Sequence, residues 1–266
     1  MALPSYATPV QRTYYYAYLF FCGVVFFFLI APLIAIIPIS FSVSPFMVFT
    51  DEMLTWPPDP DAWSLRWYKN MIGNCSADVV SSTVPCSNKW MIGTVNSFFI
   101  GFVATFIATT LGTLAALGLS RPHMPYKGLI MAILISPMIV PLIITAAGMF
   151  FFYARINLVY SFTGIILAHV ALATPFVVIT VTATLVGFDM NMVKASQSLG
   201  ARPVRTFFKV IMPLILPGVI SGALFAFITS FDEVVIVMFM ASLDQLTIPK
   251  QMWAGIRQEI SPVILC

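Results

Sequence analysis

The sequence predicts an all-α integral membrane protein, a bundle of five transmembrane helices, on three observations. The first is composition: 60% of the 266 residues are hydrophobic and 9% charged, with a mean hydropathy of +0.97. A soluble domain carries about 25% charged residues, and a single core of this length cannot hide so much apolar surface from water. The second is segmentation. The apolar residues fall into runs at 18–41, 94–119, 128–152, 161–186 and 211–240, each long enough to cross a hydrocarbon layer that needs about 20 residues of helix. The third is pattern. The runs are continuously apolar rather than alternating, so they suit helices and not the strands of a closed barrel, the only other structure that satisfies its backbone in lipid.

The elements follow in order. The run 18–41 is too long for a signal-peptide core and no small-residue cleavage site follows it, so it is expected to stay as a membrane helix. The segment 42–93 is long and tryptophan-bearing, with Asp51, Glu52, Asp59, Asp61 and Asp78 against Arg66, Lys69 and Lys89. It holds Cys75 and Cys86, which form a disulfide in an oxidising compartment or stand as two thiols. The turn 120–127 carries Arg121 and Lys127, and 187–210 carries Lys194, Arg202, Arg205 and Lys209 against Asp189. By the positive-inside rule these two segments are cytoplasmic. Alternation then puts the N-terminus, with Arg12, in the cytoplasm and 42–93, 153–160 and 241–259 outside. Pro32, Pro38, Pro137, Pro141, Pro175 and Pro217 lie within the runs and are expected to kink helices. The whole chain, 1–266, is expected to form one transmembrane domain, and the apolar tail Ser261–Cys266 reads as the opening of a sixth helix.

The segment 187–210 is the most informative. Asp189 or Asn191 can cap a short helix over 191–199, Gly200 suits the positive-φ position that ends it, and Pro203 suits the first turn of a second helix that runs to Val210 and into the last span at Pro213. The result is a helix–turn–helix elbow on the membrane face. Small residues Ala195 and Ser196 allow close approach, and Lys194, Arg202 and Arg205 rim the elbow with charge. Two uses fit: a grip for an acidic partner surface, or an anchor on anionic lipid.

Lys194-Ala195-Ser196-x-x-x-Gly200, followed nine residues later by Val210-Ile211-Met212-Pro213, resembles the EAA loop of ABC importer permeases: Glu-Ala-Ala, three residues, Gly, nine residues, then Ile-x-Leu-Pro. Ala195, Gly200 and Pro213 match by identity; Lys194 replaces the glutamate and Ser196 the second alanine. Residues from about 90 to 262 are similar to the polyamine-type permeases of the spermidine/putrescine PotC family, through Pro175-Phe176-Val177-Val178, Leu185-Val186-Gly187-Phe188-Asp189, Ser230-Phe231-Asp232-Glu233-Val234-Val235 and Ile260-Ser261-Pro262. The resemblance implies a type I permease subunit in the bacterial inner membrane, forming half of a pathway for a small organic solute such as a polyamine. It implies a second permease, a dimer of ABC ATPases that binds the ATP and Mg, and a periplasmic binding protein. It assigns ATPase coupling to Lys194, Ala195, Ser196, Leu199, Gly200, Ala201, Arg202 and Arg205, and it expects a final helix after the Ile260 tail.

Three ionisable residues in apolar surroundings are pathway candidates: Asp232, Glu233 and His169. Each has a second reading. Ser230 can cap a further helical piece with Asp232 and Glu233 in its first turn, which breaks the 211–240 run, and His169 can hydrogen-bond between helices. His123 reads as a solvated turn residue, and Tyr153, Arg155 and Asn157 as outer-rim anchors or contacts for a binding protein. The sequence has no HExxH, GxSxG or Walker A motif and no metal-spaced Cys/His set. No enzyme activity, resident cofactor or metal is therefore expected, and the scattered +3 charge gives no nucleic-acid surface. The competing classes are an autonomous secondary transporter or channel, which needs internal repeats and its own ion site, and a membrane docking or assembly subunit without a pathway.

Overall fold

A computed structural model of the chain describes residues 8–57, 59–73, 88–121, 123–189, 191–258 and 260–266. Cys75, Cys86 and Asp78 lie outside the described residues. The chain divides into two compact units, Met1–Asn88 with Gly255–Cys266, and Lys89–Ala254. Four single helices are long and apolar enough to cross a membrane, and a bent pair makes a fifth crossing if counted as one.

In the first unit, α1 (Pro9–Ser40) starts at a capping box in which Thr8 and Gln11 satisfy each other's backbone N–H groups. None of its apolar window is buried. The loop after it is ordered by α2 (Asp51–Leu54), a 3₁₀ turn at Pro60–Ala62 and α3 (Arg66–Met71). Trp67, 1% exposed, anchors that loop by donating its indole N–H to the Ser42 carbonyl at 2.7 Å. The tail Pro262–Leu265 is a 3₁₀ turn.

The second unit is a three-helix core of α4 (Lys89–Leu119), α7 (Phe162–Val186) and the helix that ends at Phe231. Two-thirds of the apolar window of α7 is buried (67%), against 33% for α4 and 28% for the helix ending at Phe231, so α7 is the central post. Lipid is as apolar as a leucine side chain, so helices in a bilayer associate by close packing rather than by escape from solvent. The residues at these contacts are accordingly small: Ala104, Ala108, Ala116, Ala168, Ala173 and Ala226 are wholly buried. Three glycines close the contacts further. A Cβ on Gly112 of α4 would lie 2.7 Å from the Val177 Cβ of α7. On the helix ending at Phe231, one on Gly218 would lie 2.9 Å from the Thr184 Cβ, and one on Gly222 3.0 Å from the Val177 Cα. Gly218 and Gly222 form a small-xxx-small pair on one face, with Val177 held between the two neighbours of α7.

The third apolar run is not one kinked helix. It is α5 (Lys127–Ile139) and α6 (Leu142–Arg155), bent by 103°. Pro141 lacks an N–H and its ring would strike the carbonyl four residues back, on Pro137. Val140, forced away from helical geometry by the proline after it, takes φ −72°, ψ 134°. Pro175 and Pro217 stay inside continuous helices.

After α7 come α8 (Asn191–Ser198), α9 (Pro203–Thr206), a π-helical turn (Phe207–Ile211), and α10 (Met212–Phe231), the last three running on as one rod from Pro203. The 211–240 run is broken, as its sequence suggests: α10 ends at Phe231 and α11 (Val235–Met240) begins after Asp232-Glu233-Val234. A 3₁₀ turn at Leu243–Gln245 leads into α12 (Ile248–Gln258).

Candidate functional site

The second unit has two differently built ends. At one, α8 and α9 make the elbow. The Asp189 carboxylate accepts from the Asn191 N–H at 2.9 Å, opening α8. Gly200 ends it at φ +80°. The Ala201 N–H reaches back to the Ser196 carbonyl at 3.1 Å and the Gly200 N–H to the Gln197 carbonyl at 2.9 Å, the paired bonds of a Schellman cap. Arg202, extended at φ −69°, ψ 154°, then hands over to Pro203 at the first position of α9.

Ser196 and Thr206 tie the two arms together through their hydroxyls at 2.7 Å. Thr206 is buried at 3% exposure, so the serine that departs from the family's alanine is the partner of an otherwise dry hydroxyl. Lys194, Ala195, Gly200, Arg202 and Arg205 are exposed, Ala201 is half-buried, and Leu199 is 89% exposed. An apolar side chain so bare, ringed by cations on a rigid turn, is what a docking surface requires. Beneath the elbow lies a cavity of about 320 Å³, walled by Leu117, Ser120, Leu185, Gln197, Thr206 and Phe207 among others. The ends of α4 and α7 therefore meet the elbow, and Arg121 shares that end with Lys194, Arg202, Arg205 and Lys209.

The opposite end gathers the pathway candidates and the loops around 157, 244 and 247. His169, 1% exposed, bonds through Nδ1 to the Ser230 hydroxyl at 2.8 Å, the interhelical bond its sequence position allows. Ser230 is thus committed to α7 and does not cap α11. That role falls to Glu233, whose Oε1 accepts from the Ile236 N–H at 2.9 Å. Glu233 is buried at 7% exposure, and the positive end of α11 faces its charge.

The C-terminal end of α11 has a counterpart that the sequence reading missed. Lys250 donates its Nζ to the carbonyls of Ala241 at 3.1 Å and Val237 at 3.4 Å, where a cation suits the helix dipole. Burial lowers the pKa of this ammonium. The signal was present as a lysine ten residues beyond a short apolar helix, but only the fold brings it back. Asp232 differs from both neighbours in that it is exposed. The rim is cross-tied: the Gln245 side chain donates to the Tyr160 carbonyl at 2.7 Å, the Tyr160 N–H to the Met240 carbonyl at 3.0 Å, and Asn96 Nδ2 to the carbonyls of Asp244 and Leu246 at 3.0 and 2.9 Å.

Residues 108–266, which hold both ends of this unit apart from the first turns of α4, match the family described as the binding-protein-dependent transport system inner membrane component. The chain belongs to that family. It is a multi-pass inner-membrane transport subunit, a permease and not a catalyst. It is 28% identical over 244 residues to the spermidine/putrescine transport system permease protein PotC of Haemophilus influenzae, covering 92% of this chain and 86% of that one. It is likewise 28% identical over 247 residues to the putrescine transport system permease protein PotI of Escherichia coli K12, covering 90% and 79%. A solved bacterial ABC transporter that imports the acidic polysaccharide alginate has a chain of the same fold, with a TM-score of 0.72 over 98% of this chain and 92% of that one at 14% identity.

Proposed function

We propose that this chain is one of two permease subunits of an ATP-driven ABC importer for an aliphatic polyamine of the spermidine or putrescine type, the two units of the chain working as one transmembrane permease domain. One observation carries the coupling half of the reading: a Schellman-capped elbow that holds Leu199 bare, in a chain of the binding-protein-dependent family. The cargo half rests on the printed functions of the PotC and PotI relatives.

In this reading the elbow faces the cytoplasm, as the basic residues at its end require, and the N-terminus lies on the same side. A partner ATPase pair carries the ATP and Mg, a second permease completes the pathway, and a periplasmic binding protein delivers cargo to the far end. Leu199, Ala195 and Ala201 seat in the ATPase, while Lys194, Arg202 and Arg205 pair with acidic groups around that seat. ATP-driven closure of the ATPase pair moves each elbow as a rigid piece, and α9 with α10, one rod from Pro203, transmits the movement along the bundle. Moving a two-state equilibrium from 1:99 to 99:1 takes about 5.5 kcal/mol of differential binding, within reach of one well-packed dock.

The test is ATP-dependent uptake of labelled spermidine and putrescine by the assembled transporter in proteoliposomes, with and without Gly200→Val. A β-branched side chain at φ +80° is strongly disfavoured, so uptake is expected to vanish while co-purification with the ATPase weakens. Normal uptake in Gly200→Val overturns the coupling role, and uptake driven by a proton or sodium gradient without ATP replaces it with secondary transport.

A further inference from the structure

The rod that leaves the elbow has two faces in its first turns. Thr206, Phe207 and Ile211 turn inward and wall the elbow cavity. Val204, Arg205, Phe208 and Lys209 are exposed on the outward side. They form two adjacent ridges, each of residues four apart. One ridge is apolar, Val204 and Phe208, 69% and 63% exposed; the other is cationic, Arg205 and Lys209. With Gly200 and Arg202 they wall a second, open concavity of about 610 Å³.

Nothing in the segment answers this charge. The walls of the concavity hold no acidic residue. From residue 190 to residue 231 the sequence carries Lys194, Arg202, Arg205 and Lys209 and no acid at all. Asp189, just before them, accepts from the Asn191 N–H. Like charges one helical turn apart repel, and among the described residues none forms an ion pair with Arg202, Arg205 or Lys209. The anion that balances them comes from outside the chain.

The rod also fixes the depth of this face in a bilayer. The uncharged stretch 210–231 rises about 33 Å as a helix, enough to fill a hydrocarbon layer about 30 Å thick. Lys209 therefore stands at the edge of that layer, and Arg205 one turn farther out, about 6 Å, among the headgroups. Past Phe208 the rod keeps an apolar exposed ridge: Leu216, Ile220, Leu224 and Ile228 follow at four-residue steps, each exposed. A water-soluble partner covers the cations but not the ridge. A phospholipid covers both, with its phosphate among the cations and an acyl chain along the ridge. We propose that Arg205, Lys209 and Phe208, with Arg202 at the rim, seat the headgroup of one anionic phospholipid. Its phosphodiester oxygens accept from Arg205 and Lys209, and one acyl chain lies over Phe208 towards Leu216. The Arg205 guanidinium has five N–H donors, so it holds a phosphate oxygen on one side and keeps donors for an ATPase carboxylate on the other. The seat requires only that the rod spans a membrane, and neither cargo nor ATP enters it.

The experiment takes the complete transporter in a neutral detergent, without cargo or nucleotide, and titrates it with phosphatidylglycerol while native mass spectrometry counts bound lipids. Lys209→Gln is expected to weaken one bound lipid about fivefold, and the Arg205→Gln, Lys209→Gln double variant about thirtyfold, a factor of about five for each basic residue removed. Lys209→Arg is expected to bind as wild type does. Arg12→Gln, which removes a cation elsewhere in the chain, is expected to leave the count and affinity unchanged. Phosphatidylcholine of the same acyl chains, whose headgroup has no net charge, is expected to stay unbound at this position in every variant. Equal weakening by Arg12→Gln and Lys209→Gln shows only diffuse attraction and overturns the seat, as does phosphatidylcholine retained as tightly as phosphatidylglycerol. Loss of the ATPase from Lys209→Gln with lipid retention untouched gives these cations to the partner protein and overturns it too. Uptake is not read in any of these arms, so their failure leaves the coupling and cargo readings standing, and failure of uptake in Gly200→Val leaves the seat standing.

Discussion

The two ends of the 89–254 unit are held together by different physics. The elbow is built from neighbours in sequence: its Schellman bonds join residues three to five apart, and its longest tie, Ser196 to Thr206, spans ten. The opposite end is built from partners 61, 85 and 148 to 151 residues apart, through His169–Ser230, Gln245–Tyr160, and Asn96 and Ser97 to the 244–248 segment. The elbow is consequently stiff within itself and seated over a cavity, whereas the rim at the opposite end is cross-tied to the bundle. Under the proposed coupling role, a part pulled as one piece needs the first kind of construction, and an end that keeps several loops in register needs the second.

The largest expected effect breaks both ends at once by opening the core between them. Gly222→Val drives side-chain atoms into Val177 and Thr180 of α7; the Thr180 hydroxyl is nearest, and the Val177 Cα beside it at 3.0 Å is backbone that cannot rotate away. Overpacking of this kind costs about 3 kcal/mol. The measurable result is loss of the monodisperse peak after detergent extraction, or a fall in unfolding midpoint large enough to end uptake.

A substitution series at Gly200 separates backbone conformation from space. Nothing lies within 4 Å of a Cβ built there, so only the φ of +80° resists a side chain. Asparagine, which tolerates the left-handed region, is expected to retain most uptake; alanine is expected to lose several-fold, at about 1–2 kcal/mol of strain; valine loses essentially all. An equal loss for asparagine and valine points to steric exclusion by the docked partner instead of strain in the turn.

How much of this was legible depends on how local each feature is. Gly200, Pro203 and Asp189 revealed the elbow because capping chemistry is written within a few residues. The apolar runs revealed the spans because crossing a bilayer is a property of length and composition. The bend at Pro141 was not legible as a 103° turn, since Pro141, Pro175 and Pro217 read alike as kinks and only their surroundings differ. Pro175 is itself buried in the central post, while no residue of α5 is buried, so nothing opposes the break there. Gly218 and Gly222 carried a readable spacing, but Val177, the residue they close upon, did not. The sequence allows Ser230 to cap α11; the fold gives Ser230 to His169 and leaves Glu233 to do the capping, a choice that depends on which side of α10 meets α7.

Glu233 supplies a smaller effect at the end opposite the elbow. Glu233→Gln keeps an oxygen for the Ile236 N–H and is expected to leave thermal stability near wild type. Glu233→Ala removes the cap, at about 1 kcal/mol, and frees the start of α11. If the carboxylate also holds cargo, the glutamine variant fails in uptake while matching wild type in melting temperature. If capping is its whole contribution, uptake follows stability across both variants.

The smallest effect tests the one tie that joins the elbow's arms. Ser196→Ala restores the alanine of the family pattern but leaves the buried Thr206 hydroxyl without its 2.7 Å partner, at about 1 kcal/mol. Thr206→Val in the same chain removes the orphan, and an apolar pair of similar shape is nearly neutral. The double variant is therefore expected to melt above Ser196→Ala and close to wild type, with uptake following the same order. Three-way agreement makes the hydroxyl pair a local stiffener within the elbow. If both alanine-bearing variants transport normally despite a lower melting temperature, α8 and α9 need no tie between them, and the Schellman turn alone makes the elbow move as one piece.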